Sequence, residues 1–145
     1  MALLLGSAAS LYVVLARRDS AIDLYNRGAE AFYAGDYQKA VEYYLEGIEK
    51  EPDSAVGYNL LGMAYRFQYN ATGDQVFKDK EIAAFRKAIE LDPREHAALI
   101  NLGTTLYNLG KVKEAAGYLK RGLEGYPQHP ERTQIEQMIQ EGEQR

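Results

Sequence analysis

Ala21–Ser54 reads AIDLYNRGAEAFYAGDYQKAVEYYLEGIEKEPDS, and this stretch decides the fold. Leu24, Gly28, Ala31 and Phe32 recur at helical spacing, which predicts an amphipathic first helix. Gly35-Asp36-Tyr37 then marks a turn, because glycine ends a helix in the left-handed conformation and aspartate caps the next one. Ala40, Tyr44 and Gly47 share one face of a second helix, which stops before Pro52 because proline cannot continue it. Small residues at Gly28, Ala40 and Gly47 let the two helices approach closely.

The same unit recurs downstream. Gly28 to Gly62 is 34 residues and Gly62 to Gly103 is 41, while Pro52 to Pro93 is 41 and Pro93 to Pro127 is 34. Two independent residue types give the same two periods, so the units are 21–54, 55–95 and 96–129. The third unit carries Leu99, Leu102, Gly103 and Leu106, the turn Gly110-Lys111-Val112, then Ala115, Leu119 and Gly122. The middle unit holds the excess of seven residues (41 − 34), about two turns of helix. With Gly73-Asp74 as its turn, each helix gains one turn, and the longer hairpin is expected to close at its tip by Tyr69 against Phe77. The competing reading is an irregular insert over Tyr69–Val76. After the third unit, Ile135, Met138 and Ile139 fall at i, i+3, i+4 within residues 130–145, as expected of a capping helix and tail.

On these residues the chain resembles the tetratricopeptide repeat family: a small residue midway along each first helix, Gly-Asp-Tyr at the turn, and an acidic-Pro end such as Leu91-Asp92-Pro93. The resemblance covers Ala21 to about His129. It implies an all-α fold, a right-handed superhelix of three helix-turn-helix units plus a C-terminal capping helix, with a concave binding groove. Two positions depart from the family pattern. Glu81 falls where a small residue is usual and Arg27 where leucine is usual. Either is expected to bury its stem and keep its head in water.

The resemblance also implies which residues line the groove. From the first unit these are Tyr25, Ala29, Phe32 and Tyr33; from the second Asn59, Met63, Arg66 and Phe67; from the third Ile100, Thr104, Tyr107 and Asn108, with Asn26 and Asn101 at the edge. Aromatic rings and arginine are typical binding hot spots. Asparagines can bond a peptide backbone, so the mixture suits an extended or helical peptide with apolar side chains. The competing reading has Phe32, Phe67 and Tyr107 only packing between repeats. Chaperone-binding members of the family hold a terminal carboxylate with lysine, asparagine and arginine. The matching columns here hold Tyr25, Ala29, Leu60, Ala97 and Asn101, so no clamp cation is present.

Composition narrows the function classes. The 145 residues are 46% hydrophobic and 26% charged, which is a globular balance. Absent cysteines exclude disulfides, thiolate metal sites and a cysteine nucleophile. A net charge of −4 speaks against nucleic acid as a partner. Only His96 and His129 could serve as catalytic bases, and neither has a nucleophile at a suggestive spacing. No phosphate loop, metalloprotease or calcium-loop pattern occurs, so no cofactor, metal or enzyme activity is expected. Asn70-Ala71-Thr72 fits the glycosylation pattern, which matters only in a secreted chain.

The first nineteen residues differ from the rest. Ala2 to Ala16 is uncharged and is followed by Arg17 and Arg18. Three readings compete: a membrane anchor with snorkelling arginines, a signal peptide cleaved after Val14-Leu15-Ala16, and a helix of a soluble core. The anchor is the leading expectation, with the body facing the cytoplasm by the positive-inside rule, and export to the periplasm after cleavage is its alternative. The whole sequence then reads as a membrane-tethered adaptor that binds a segment of a partner protein within an assembly complex. A self-assembling homo-oligomeric scaffold and a non-catalytic regulatory subunit are the other readings.

Overall fold

The computed structural model describes residues 19–144. Seven helices follow one another there: α1 (Ala21–Tyr33), α2 (Tyr37–Lys50), α3 (Ala55–Thr72), α4 (Gln75–Leu91), α5 (His96–Asn108), α6 (Val112–Gly125) and α7 (Arg132–Glu143). α1 packs on α2, α3 on α4 and α5 on α6, and α2–α3 and α4–α5 contacts stack the three hairpins into an all-α repeat superhelix. α7 covers α6 with Ile135 and Met138 buried, as expected of a cap.

Local chemistry sets the helix ends. Ser20 and Asp23 form a reciprocal capping box at the start of α1. Asp36, Ser54 and Asp74 each accept from a backbone N–H in the first turn of α2, α3 and α4. The three hairpin turns each need a left-handed residue, and Gly35, Gly73 and Gly110 supply φ of 81°, 71° and 78°. The third turn lacks a side-chain cap, since Lys111 stands where the first turn has Asp36. Lys111→Asp is expected to stabilise the protein by about 1 kcal/mol. An unchanged or lower urea midpoint would remove this account of the turn.

Packing repeats in register. An added Cβ at Gly28 would lie 2.3 Å from the Tyr44 ring, one at Gly62 2.5 Å from the Phe85 ring, and one at Gly103 2.6 Å from Leu119. Each first-helix glycine is therefore the seat of a bulky residue from the second helix. Tyr44, Phe85 and Leu119 line up across the units only when the seven extra residues are counted within the middle hairpin. Two clusters form the core: one spans Ala31, Val41, Tyr44, Leu61 and Tyr65, the other Phe85, Leu102, Leu106, Leu119 and Ile135.

The long middle hairpin is present as two extended helices of 18 and 17 residues, so the irregular insert is not formed. Its tip differs from expectation. Phe77 stacks on Tyr65 at 6.4 Å between centroids, and Tyr69 instead carries the Lys78 ammonium 4.3 Å above its ring. Tyr65 is the buried member of the pair, so stacking there shelters more apolar surface than stacking on Tyr69.

The membrane placement is also corrected. Among the described residues no helix is long and apolar enough to cross a membrane. Met1–Ala16, where the anchor or leader was expected, lies outside the described residues.

Candidate functional site

Side chains of α1, α3 and α5 meet one another directly and make one continuous face. Phe32 of α1 packs edge-on against Phe67 of α3 at 4.9 Å. Asn101 of α5 donates from its amide to Asn59 Oδ1 of α3 at 3.0 Å. At the α1–α3 end lies a depression lined by Ala29, Phe32, Tyr33, Tyr44, Leu60 and Met63. Four of the expected groove residues are thus brought together there. Tyr33 is 87% exposed and Phe67 36%, which leaves apolar ring surface open to solvent. Tyr37, outside the expected set, joins this patch at 5.4 Å from Phe32 and 5.1 Å from Phe67. The signal was available: a residue just after the Gly35-Asp36 turn sits beside the last turn of α1.

Arg66 lies at the middle of the face. Its Nε donates to Glu81 Oε1 at 2.9 Å, Nη1 to Asn101 Oδ1 at 3.1 Å, and Nη2 to Asn101 O and Thr105 Oγ1, both at 2.9 Å. The guanidinium also covers the Phe85 ring at 5.0 Å. Glu81 does not snorkel. It is fully buried and takes Lys78 Nζ at 2.6 Å on its other oxygen, while Thr105 Oγ1 donates to Oε1 at 2.6 Å. A buried carboxylate is tolerated because every oxygen is met by a cation or a hydroxyl. Arg27, the other departure, keeps its head exposed, paired with Asp19 and 5.3 Å from the Tyr43 ring.

Two residues of one expected column, Tyr25 and Ile100, turn away from the groove. Tyr25 packs its ring on Gly47 and its hydroxyl on Gly57, and Ile100 packs on Gly122. Each is drawn into the hairpin seam by a small residue of the second helix. Ile100 belongs to the core, and Asn59 of the same column is only 7% exposed. Thr104 and Asn101 are half-buried, whereas Asn26 and Asn108 are exposed. Tyr107 donates its hydroxyl to Glu141 of α7 at 2.6 Å, so the cap closes this end of the face. Burial pushes the Tyr44 hydroxyl up to about 12 and raises Tyr25 as well, so both are neutral phenols near pH 7. Among the described residues no cluster of three or more histidine, aspartate or glutamate side chains is placed to hold a metal ion.

A family model described as the SusR N-terminal TPR domain matches residues 7–128. The chain belongs to the tetratricopeptide repeat family. The match begins inside the stretch assigned above to an anchor or leader, so residues 7–16 fall within the matched domain. This tetratricopeptide repeat chain is 35% identical over 102 residues to sperm-associated antigen 1 of Mus musculus, covering 70% of this chain and 10% of that protein. It is 30% identical over 108 residues to the photosystem I assembly protein Ycf3 of Synechococcus sp. (strain CC9605), covering 74% of this chain and 60% of that one. The chain therefore spans less than two thirds of either relative. Among solved structures, the first TPR of Spaghetti (RPAP3) bound to the HSP90 peptide SRMEEVD superposes with a TM-score of 0.73 at 24% identity, covering 84% of this chain and 94% of that one. The TPR2B domain of yeast Sti1, in its complex with pHsp70, gives 0.70 at 24% identity, covering 86% and 96%. These likenesses are of fold.

Proposed function

We propose that this chain is a non-catalytic adaptor that binds a segment of a partner protein along the face of α1, α3 and α5. The observation that carries the reading is the aromatic patch of Phe32, Tyr33, Tyr37 and Phe67 bordering the Ala29–Met63 depression. Exposed rings beside an apolar recess gain large contact area at little entropic cost when an apolar side chain enters. Solved relatives of the same fold hold peptides, as the HSP90 peptide complex illustrates. The peptide SRMEEVD of that complex carries acidic residues near its end, whereas the columns read as a terminal-carboxylate clamp hold Tyr25, Ala29, Leu60, Ala97 and Asn101 here, none of them a cation. The partner segment is accordingly expected to be held through apolar side chains, not through its chain end.

The test is capture from host lysate on immobilised full chain, with the Tyr33→Ala/Phe67→Ala variant alongside. At least one captured protein is expected to fall about tenfold or more with the variant, while circular dichroism is unchanged. An identical captured set would place binding on another face.

A further inference from the structure

The floor between α3 and α5 is a row of hydrogen bonds that all run one way, and Arg66 sets the direction. Guanidinium can only donate. Its Nη1 therefore meets the oxygen of the Asn101 amide, at 3.1 Å. The Asn101 nitrogen is then turned to Asn59, and must meet that amide's oxygen, at 3.0 Å. The Asn59 nitrogen is left at the end of the row. Among the described residues it has no partner, although Asn59 is only 7% exposed. One hydrogen each on Asn101 Nδ2 and Arg66 Nη1 is also unused. The oxygens of the row already accept from within it: Asn59 Oδ1, Asn101 Oδ1 and Asn101 O each take a donor, and both Glu81 oxygens are bonded. Charge has the same sense, since Arg66 and Lys78 face the single carboxylate of Glu81 and leave one positive charge in excess.

We propose that the Asn59–Asn101–Arg66 row is a site for a side-chain carboxylate of the partner segment. This rests on the reading of the face as a protein-segment site. Unused donors beside surplus positive charge match a group that accepts and carries negative charge. Met63, in the apolar depression, lies one helical turn from Asn59 and within one turn of Arg66, ~6 Å along α3. In an extended segment, side chains two positions apart are separated by ~6.6 Å on one face. The face thus reads an acidic residue two positions from a large apolar one.

The test uses the 15N-labelled full chain and two end-blocked peptides, acetyl-Leu-Ser-Asp-Ser-Leu-amide and its asparagine counterpart. The blocked ends remove any terminal carboxylate. The aspartate peptide is expected to shift the side-chain amide resonances of Asn59 and Asn101 and to bind about fivefold tighter than the asparagine peptide. That preference is expected to vanish in Asn59→Leu and to reverse in Asn59→Asp, which keeps the side-chain shape. Equal affinities, a preference retained in Asn59→Leu, or no shift at these amides with either peptide overturns the carboxylate site. Equal affinities that are both lost with Phe67→Ala leave the groove reading standing, so the two failures are told apart.

Discussion

Glu81→Ala is expected to lower the unfolding free energy by about 3–5 kcal/mol. The substitution puts the small residue usual for the family into this column, and Ala40 and Ala115 occupy the same column fully buried. A loss of this size therefore reports the charges and not a steric misfit. Without the carboxylate, Arg66 and Lys78 keep their positive charges in a site where their side chains are only 23% and 12% exposed. Arg66 would also lose the anchor that holds it against Asn101 and Thr105. Adding Arg66→Leu in the same chain is expected to recover part of the loss, because the stranded guanidinium is then gone. Urea denaturation of the two single variants and the double variant measures this coupling. A loss under about 1 kcal/mol, or strict additivity, would show that the buried carboxylate does not organise the site.

Phe85→Ala is expected to cost about 4 kcal/mol and to lower Tm by roughly 10 °C. Phe85 is fully buried, seats on Gly62, and carries the Arg66 guanidinium on its ring. It sits on α4, where the core of the first two hairpins gives way to that of the last hairpin and its cap. Repeats touch only their neighbours, so weakening the middle unit uncouples the two ends. The denaturation slope is accordingly expected to fall along with the midpoint. A transition of unchanged slope would mean that cooperativity passes through another part of α4.

How much of this was legible depends on the range of the interaction. Gly35, Gly73 and Gly110 could be assigned to turns because a positive φ is a property of one residue and its backbone. The cap of Ile135 and Met138 was legible because helical periodicity shows a face within a dozen residues. The groove was legible in part. Ala29, Phe32, Tyr33 and Met63 do converge, but Tyr25 and Ile100 do not stay with them. A first-helix column cannot show by itself whether a small residue of the second helix has opened a seat beneath it.

The amino-acid sequence by itself determined three two-helix units, their periods, the longer middle hairpin and the closing helix. All of these follow from residue spacing along a single helix and from the backbone demands of turns. Tertiary structure alone decided the charge and the shape of the face made by α1, α3 and α5. Glu81 meets Arg66 across 15 residues, and Arg66 meets Asn101 across 35. Such pairings depend on how closely two helices approach and how each is rotated about its axis. Seats such as Gly28, Gly47 and Gly62 set that approach, because each admits a ring where any side chain would collide.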